Sequence, residues 1–152
     1  MNDCIVVLDN LRGTFNVGAI FRTADAVGIK KIYVSGITPL PTHPKVQKTA
    51  LGAERYVAWE KVGRTLPLLK KLNQQGFIIA AIEHNRHSRP YHRWNPSKKP
   101  IALIVGNEIN GISKQALAYT DVILEIPMHG RKESLNAAIA FGIVSYALKF
   151  RA

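Results

Sequence analysis

The sequence predicts an α/β fold, a mostly parallel sheet flanked by helices, and three observations carry that prediction. Runs that are apolar at every position, such as Cys4–Leu8, Phe77–Ile82 and Ile101–Val105, suit strands buried on both faces of a parallel sheet. Stretches with a helical apolar period alternate with them, and glycines stand where those helices must stop, at Gly28, Gly52 and Gly76. At 152 residues the chain is read as one domain, residues 1–152, able to bury about two thirds of the surface that its unfolded form exposes.

In order, Cys4–Leu8 runs into a turn-prone Asp9-Asn10. Asn16 stands where an N-cap belongs, Val17, Ile20, Phe21, Ala24 and Val27 follow at helical spacing, and Gly28 takes the left-handed closing position. Arg22 lies off that stripe, and the loop Gly13-Thr14-Phe15 before it can approach a ligand. Lys31–Ser35 is the next strand, which makes the opening a strand–helix–strand unit with a right-handed crossover. Ser35–Pro44 reads as loop, Lys45–Leu51 as a short basic helix ended by Gly52, and Tyr56–Trp59 as a short strand. Thr65 is placed to cap a helix with Pro67 near its start, Leu66, Leu69 and Leu72 on its apolar face and Gly76 at its end.

Charge narrows the function. The chain carries 21 Lys plus Arg against 10 Asp plus Glu, a formal +11, which points to a polyanionic partner and most directly to nucleic acid. No apolar run approaches the 18 or so residues of a membrane span, and the amino terminus lacks signal-peptide architecture. The single cysteine, Cys4, excludes an internal disulfide framework and fits a reducing compartment, so a cytoplasmic protein is expected.

Between Glu83 and Pro100 the texture becomes basic and aromatic, with Arg86, Arg89, Arg93, Lys98 and Lys99 set around Tyr91 and Trp94. Cations for phosphates and rings for unstacked bases are what looped or single-stranded RNA requires, so an RNA-binding insertion outside the core is expected. His84, His87 and His92 have no cysteine nearby and only Glu83 for a carboxylate, so no metal site is expected.

The strand Ile101–Val105 leads into Gly106-Asn107-Glu108-Ile109-Asn110-Gly111, with Ser113 as an N-cap. A glycine-rich turn after a parallel strand is a ligand position. It is not a nucleotide fingerprint, because no Lys follows Gly111 and no G-x-G-x-x-G occurs; a dinucleotide-type enzyme is disfavoured accordingly. Val122–Ile126 is the last strand, broken by Pro127. Ser134 is read as the start of a long helix whose buried face comprises Leu135, Ala138, Ile139, Gly142, Ile143, Tyr146, Ala147 and Phe150. Ser134 and Asn136 fall in its first turn, where capping and ligand binding are both open to them.

Three of these stretches, in this order, resemble the motifs of the SpoU (TrmH) branch of the SPOUT RNA methyltransferases over essentially the whole chain. Asn16-x5-Arg22 with Ala24-Asp-Ala-x-Gly28 resembles the first motif, Val105-Gly-Asn-Glu-x-x-Gly111 the second, and Ile126-Pro-Met with Ser134-Leu-Asn136 the third. The resemblance implies an α/β fold with a C-terminal trefoil knot, a homodimer, and S-adenosylmethionine held by Ile82, Gly106, Ile126, Met128 and Leu135. It implies methyl transfer to a ribose 2′-hydroxyl of tRNA or rRNA. In that reading Arg22 holds a phosphate or the nascent alkoxide, Asn16 and Glu108 orient it, and Ser134 and Asn136 shape the ribose site. Many relatives carry an amino-terminal RNA-binding extension, whereas none is read here, so Arg12, Arg86, Arg89, Arg93, Trp94, Lys98 and Lys99 are expected to meet the RNA. The competing expectation is a catalytically silent RNA-binding protein of the same fold.

Overall fold

The structure, a computed structural model, describes residues 3–150. Along the chain lie β1 (Cys4–Asp9), α1 (Thr14–Val27), β2 (Lys31–Ser35), α2 (Pro44–Ala50) and β3 (Ala58–Val62), followed by α3 (Thr65–Gln74), β4 (Ile78–Ile82) and β5 (Arg89–Pro90). After them come β6 (Ile101–Gly106), α4 (Lys114–Ala118), β7 (Val122–Glu125) and α5 (Ala137–Lys149). All pairings are parallel, in the order β3-β2-β1-β6-β4-β7-β5. Strand order reverses between β1 and β6, so the carboxyl ends of β1, β6 and β4 open a crevice of the kind in which α/β sheets bind ligands.

Alternation along the strands divides the core into two layers. Val6, Leu8, Ile32, Val34, Leu103 and Val105 face α1 and α5, burying Val17, Ile20, Phe21 and Ala24 of α1 and Phe141 and Val144 of α5. Ile5, Val7, Ile79, Ala81 and Ile104 face the other way, against Leu68, Leu69 and Leu72 of α3 and Ala116 of α4. Between β1 and β2 the polar groups are paired internally. Thr65 hydrogen-bonds the Asp9 carboxylate and, at 2.7 Å, the Ser35 hydroxyl, and Thr38 donates to the Leu8 and Ser35 carbonyls. This satisfies buried Asp9, Ser35 and Thr38 at the strand ends that carry the crevice.

Several expectations are corrected. Asn16 is not the cap of α1: the helix starts at Thr14 after Gly13, because the Asn16 amide is engaged with other segments. Leu51, at φ 51°, ends α2 before Gly52, and the third strand is Ala58–Val62 rather than Tyr56–Trp59. Arg64 precedes α3, since Thr65 turns inward to Asp9 and Ser35, and Leu68 replaces Leu66 on the buried face.

Ser134 lies outside α5, whose cap is Asn136. The buried face of α5 carries Phe141, Val144 and Ser145, which leaves Ile139 (56%), Tyr146 (45%) and Phe150 (63%) exposed. Nor is the 83–100 segment wholly outside the core. It forms the short β5 beside β7, and Trp94 is only 9% exposed, packed within the α1–α5 layer. A side chain enclosed in that way cannot offer a base a stacking face, so the expectation for Trp94 is corrected.

Candidate active site

The three motifs converge where β1 and β6 end. Glu108, in the turn after β6, reaches across to the loop before α1. One carboxylate oxygen accepts from the Arg12 N–H at 2.9 Å, the other from the Gly13 N–H at 2.9 Å and from Asn16 Nδ2 at 3.0 Å. Asn16 Oδ1 in turn accepts from Asn136 Nδ2 at 2.9 Å, and Asn136 Oδ1 caps α5 by accepting from the Ala138 and Ile139 N–H groups. Every amide in this chain has its orientation decided by its neighbours: the cap requires an oxygen, so Asn136 presents its NH2 to Asn16, which must present its own to Glu108.

Burial is the largest influence on Glu108 and pushes its carboxyl up. The hydrogen bonds from Asn16, the Arg12 and Gly13 amides and its own amide outweigh it and hold the group below the usual carboxylate range. Glu108 is therefore an ionised brace for the 10–16 loop. Its turn is closed by Asn107, whose Oδ1 accepts from the Ile109 and Asn110 N–H groups while Nδ2 donates to the Asn10 carbonyl at 2.7 Å. Gly106 is obligatory for a packing reason, since a Cβ there would lie 2.6 Å from the Gly111 carbonyl carbon and the Ile112 nitrogen.

Beside this chain lies a cleft of about 240 Å³. Ile82, Gly106, Ile126, Met128 and Leu135 all line it, along with Leu124, Ala137 and Ala140, and Ser134 and Asn136 stand on its wall. Its lining includes Glu83, Glu108, Glu125 and Glu133 and not one Lys or Arg, in a chain of formal charge +11. Glu83 Oε2 accepts from the Ile112 N–H at 3.1 Å, and Glu125 is bonded to Ser88 and lies 3.1 Å from His84 Nδ1. Reading the sequence did not assign Glu83, His84, Asn107 or Glu125 to this cleft. The Asn-x-x turn around Asn107 was the one local sign, because an asparagine at the start of a glycine-closed turn commonly accepts from the backbone ahead of it.

The structure does not bring Arg22 into the same network. It is exposed on α1, about 9 Å further along the helix than Asn16, and hydrogen-bonds neither Asn16 nor Glu108. The expected orienting bonds are not formed here: the hydrogen bonds of Asn16 and Glu108 go to each other, to the loop amides and to Asn136. Arg12, Arg86, Arg89, Arg93, Lys98 and Lys99 are exposed, as an RNA surface needs. Cys4 sits at the opposite end of β1, its thiol pushed up to about 12, chiefly by burial, and is no nucleophile. Among the described residues no group of three His, Cys, Asp or Glu side chains is arranged to hold a metal ion, and no helix is long and apolar enough to cross a membrane.

Known proteins are similar to this chain in both sequence and fold. The profile of the SpoU rRNA methylase family matches residues 3–146. A tRNA (guanosine(18)-2′-O)-methyltransferase of Aquifex aeolicus is 33% identical over 150 residues, 95% of this chain and 67% of that protein. The crystal structure of an AdoMet-bound rRNA methyltransferase from Sinorhizobium meliloti superposes with a TM-score of 0.90 at 29% identity, over 96% of this chain and 55% of that one. For the TrmH/SpoU tRNA modifying enzyme of A. aeolicus the TM-score is 0.86 at 32% identity, over 98% and 75%. The chain thus spans from about half to two thirds of the length of the curated relatives it matches. With the family profile running through all three motifs, and those motifs bonded to one another in space, the chain belongs to the SpoU rRNA methylase family.

Proposed function

We propose that this protein transfers the methyl group of S-adenosylmethionine to a ribose 2′-hydroxyl of tRNA or rRNA. The observation that carries the proposal is the acidic, arginine-free cleft abutting the Glu108–Asn16–Asn136 chain. A phosphate-bearing dinucleotide would be repelled by four carboxylates, whereas a sulfonium and an ammonium group suit them. Ile82, Leu124, Ile126 and Leu135 supply the apolar walls that an adenine needs, and Gly106 and Met128 complete the enclosure.

When bound, S-adenosylmethionine supplies an electrophilic methyl on a positively charged sulfur. The chain's own residues then place the nucleophile and exclude water. Asn16 and Asn136, fixed by their mutual bond, line the approach to the cleft together with Ser134 and shape the ribose site. Arg22 carries a guanidinium, which has N–H donors and no acceptor, so it acts by holding a phosphate or the developing alkoxide rather than by taking the proton. Glu108 is not the base either, since its oxygens already accept from Arg12, Gly13 and Asn16.

The finer expectations belong to the same proposal. A trefoil knot is supported by the path of residues 126–136, which leave β7, on the far side of β4 from β6, and return past the 106–111 turn to set Asn136 against Asn16. A homodimer is supported by the exposed Ile139, Tyr146 and Phe150 along one side of α5. An RNA substrate and a reduced lone cysteine together favour a cytoplasmic setting. Calorimetric titration tests the cofactor: S-adenosylmethionine should bind saturably and NAD should not. Saturable NAD binding, or none by S-adenosylmethionine, would reject the reading.

A further inference from the structure

With Trp94 enclosed and Tyr91 packed against the core, the two large rings of the basic loop after β4 are withdrawn from solvent, which leaves it exposed cations and imidazoles. Another surface exposes both cations and large rings. On α2 and the 3-10 turn that follows it (Ala53–Arg55), Lys45, Lys48 and Arg55 are exposed, and Tyr56 next to them is 79% exposed. The one carboxylate between Pro44 and Tyr56 is Glu54, which is turned inward with a side-chain exposure of 7% and lies 3.9 Å from the Arg55 guanidinium, so the charges that this face exposes are cationic.

This face adjoins the candidate active site. The Thr49 hydroxyl on α2 donates to the carbonyl of Phe15, the residue before Asn16, at 3.2 Å. Gly18 of α1 lies so close to α2 that a Cβ there would fall 2.3 Å from the Val46 carbonyl oxygen, so the two helices approach as nearly as backbones can. Phe15 is itself 67% exposed and stands between Asn16 and α2. At the far end Leu51 (φ 51°) and Gly52 (φ 91°) are both left-handed, which folds the chain back so that the 3-10 turn packs on α1 and Tyr56 follows directly from it.

We propose that Phe15, Lys45, Lys48, Arg55 and Tyr56 form the track that carries the RNA away from the target ribose. The lysines and Arg55 hold phosphates of an unpaired strand, and Phe15 and Tyr56 stack its bases. Rings interleaved with cations suit an unstacked strand, because phosphates and base faces alternate along it, whereas a rigid duplex hides its base faces. The proposal rests on the RNA methyltransferase reading.

The test is a salt titration of unfractionated tRNA binding by the parent, by the triple variant Lys45→Gln, Lys48→Gln, Arg55→Gln, and by Tyr56→Ala. Each single-strand phosphate that a substitution leaves without its cation flattens the log–log slope by about 0.7, so the slope of the triple variant should be shallower by about 2. Tyr56→Ala should bind about 5- to 150-fold more weakly, the equivalent of one stacked base. S-adenosylmethionine affinity should be unchanged in both. Parental slope and affinity in both variants would overturn the track while leaving the methyltransferase reading intact. A parent that binds S-adenosylmethionine but no tRNA or rRNA would instead reject the RNA reading, and the track with it. Variants that release RNA only because sedimentation shows a dissociated oligomer would make the face a protein interface and overturn the track too.

Discussion

Asn136, at the start of the last helix, donates a 2.9 Å hydrogen bond to the side-chain oxygen of Asn16, 120 residues earlier in the chain. The bond joins the third motif to the first, and Asn16 passes the connection on to Glu108 in the second. Because Asn136 also caps α5, one amide serves both the stability of the helix and the geometry of the site.

Those two duties can be separated. Asn136→Ala removes the acceptor for the Ala138 and Ile139 N–H groups and should destabilise the fold by about 0.5–2 kcal/mol, read as a lowered Tm. Asn136→Asp keeps the cap but sets an oxygen against the Asn16 oxygen, so kcat for methyl transfer should fall at least as far as in Asn136→Ala although the helix stays capped. An aspartate variant with parental turnover would show that the Asn16 bond has no part in the reaction.

Glu108 gives the site a pH signature. Its folded-state pKa is lowered, so its carboxylate stabilises the fold above the ordinary glutamate value of 4.5, and that contribution disappears as pH falls through the lower folded value. Glu108→Gln should therefore be less stable than the parent at neutral pH, with the gap closing in acid below about pH 4.5. Urea denaturation at a series of pH values measures it, and a gap independent of pH would refute the brace.

The cleft can be filled without breaking the turn that forms its floor. Gly106 is unsuitable for that purpose, because its Cβ would meet backbone at 2.6 Å and the variant would suffer an overpacking penalty of about 1–3 kcal/mol. Ala140 lines the cleft from the first turn of α5, where a larger side chain has the cleft beside it. Ala140→Leu should keep its Tm within a few degrees and lose at least tenfold in S-adenosylmethionine affinity by calorimetry. Unchanged affinity would place the cofactor elsewhere.

Ile139, Tyr146 and Phe150 should lie at the dimer interface. Ile139→Glu with Tyr146→Glu should yield a monomer by sedimentation velocity with the parent's circular dichroism spectrum, since neither side chain is buried within the subunit. A dimer that survives both changes must use another surface.

The strands were legible because β1, β4 and β6 are covered on both faces, so that their positions are apolar until Asp9 ends β1 and turns to Thr65. The stripe of α1 was legible for the complementary reason: one side of that helix faces the sheet, so Val17, Ile20, Phe21, Ala24 and Val27 stand out against Arg22 and Asp25, and Gly28 closes it at φ 77°. Helix α5 is apolar on nearly every side, so its period could not tell the face toward the sheet, Phe141 and Val144, from the face left open, Ile139 and Tyr146. Asn16 was assigned to a cap for a similar reason. An asparagine is suited equally to an orphan N–H next to it and to a carboxylate 92 residues away, and only the fold chooses.

The motif residues Asn16, Glu108 and Asn136 were legible as a set, and their hydrogen-bonded chain was not. The acidic cleft was not legible either, because Glu83, Glu108, Glu125 and Glu133 sit in separate segments within a basic chain. Trp94 was misread because a basic, proline-containing neighbourhood looks solvated, yet a single large aromatic side chain is enough to anchor such a segment to the core.

The central claim, methyl transfer to a ribose hydroxyl at the Asn16–Glu108–Asn136 site, is tested most directly by nucleoside mass spectrometry. RNA from cells lacking the gene is incubated with the protein and methyl-labelled S-adenosylmethionine, and the labelled product is digested. The label should lie on ribose 2′-oxygen, in an alkali-resistant dinucleotide, and should fall sharply in Asn16→Ala, which removes the side chain that joins Glu108 to Asn136. Label on a base, or full 2′-O-methylation by the Asn16→Ala variant, would contradict it.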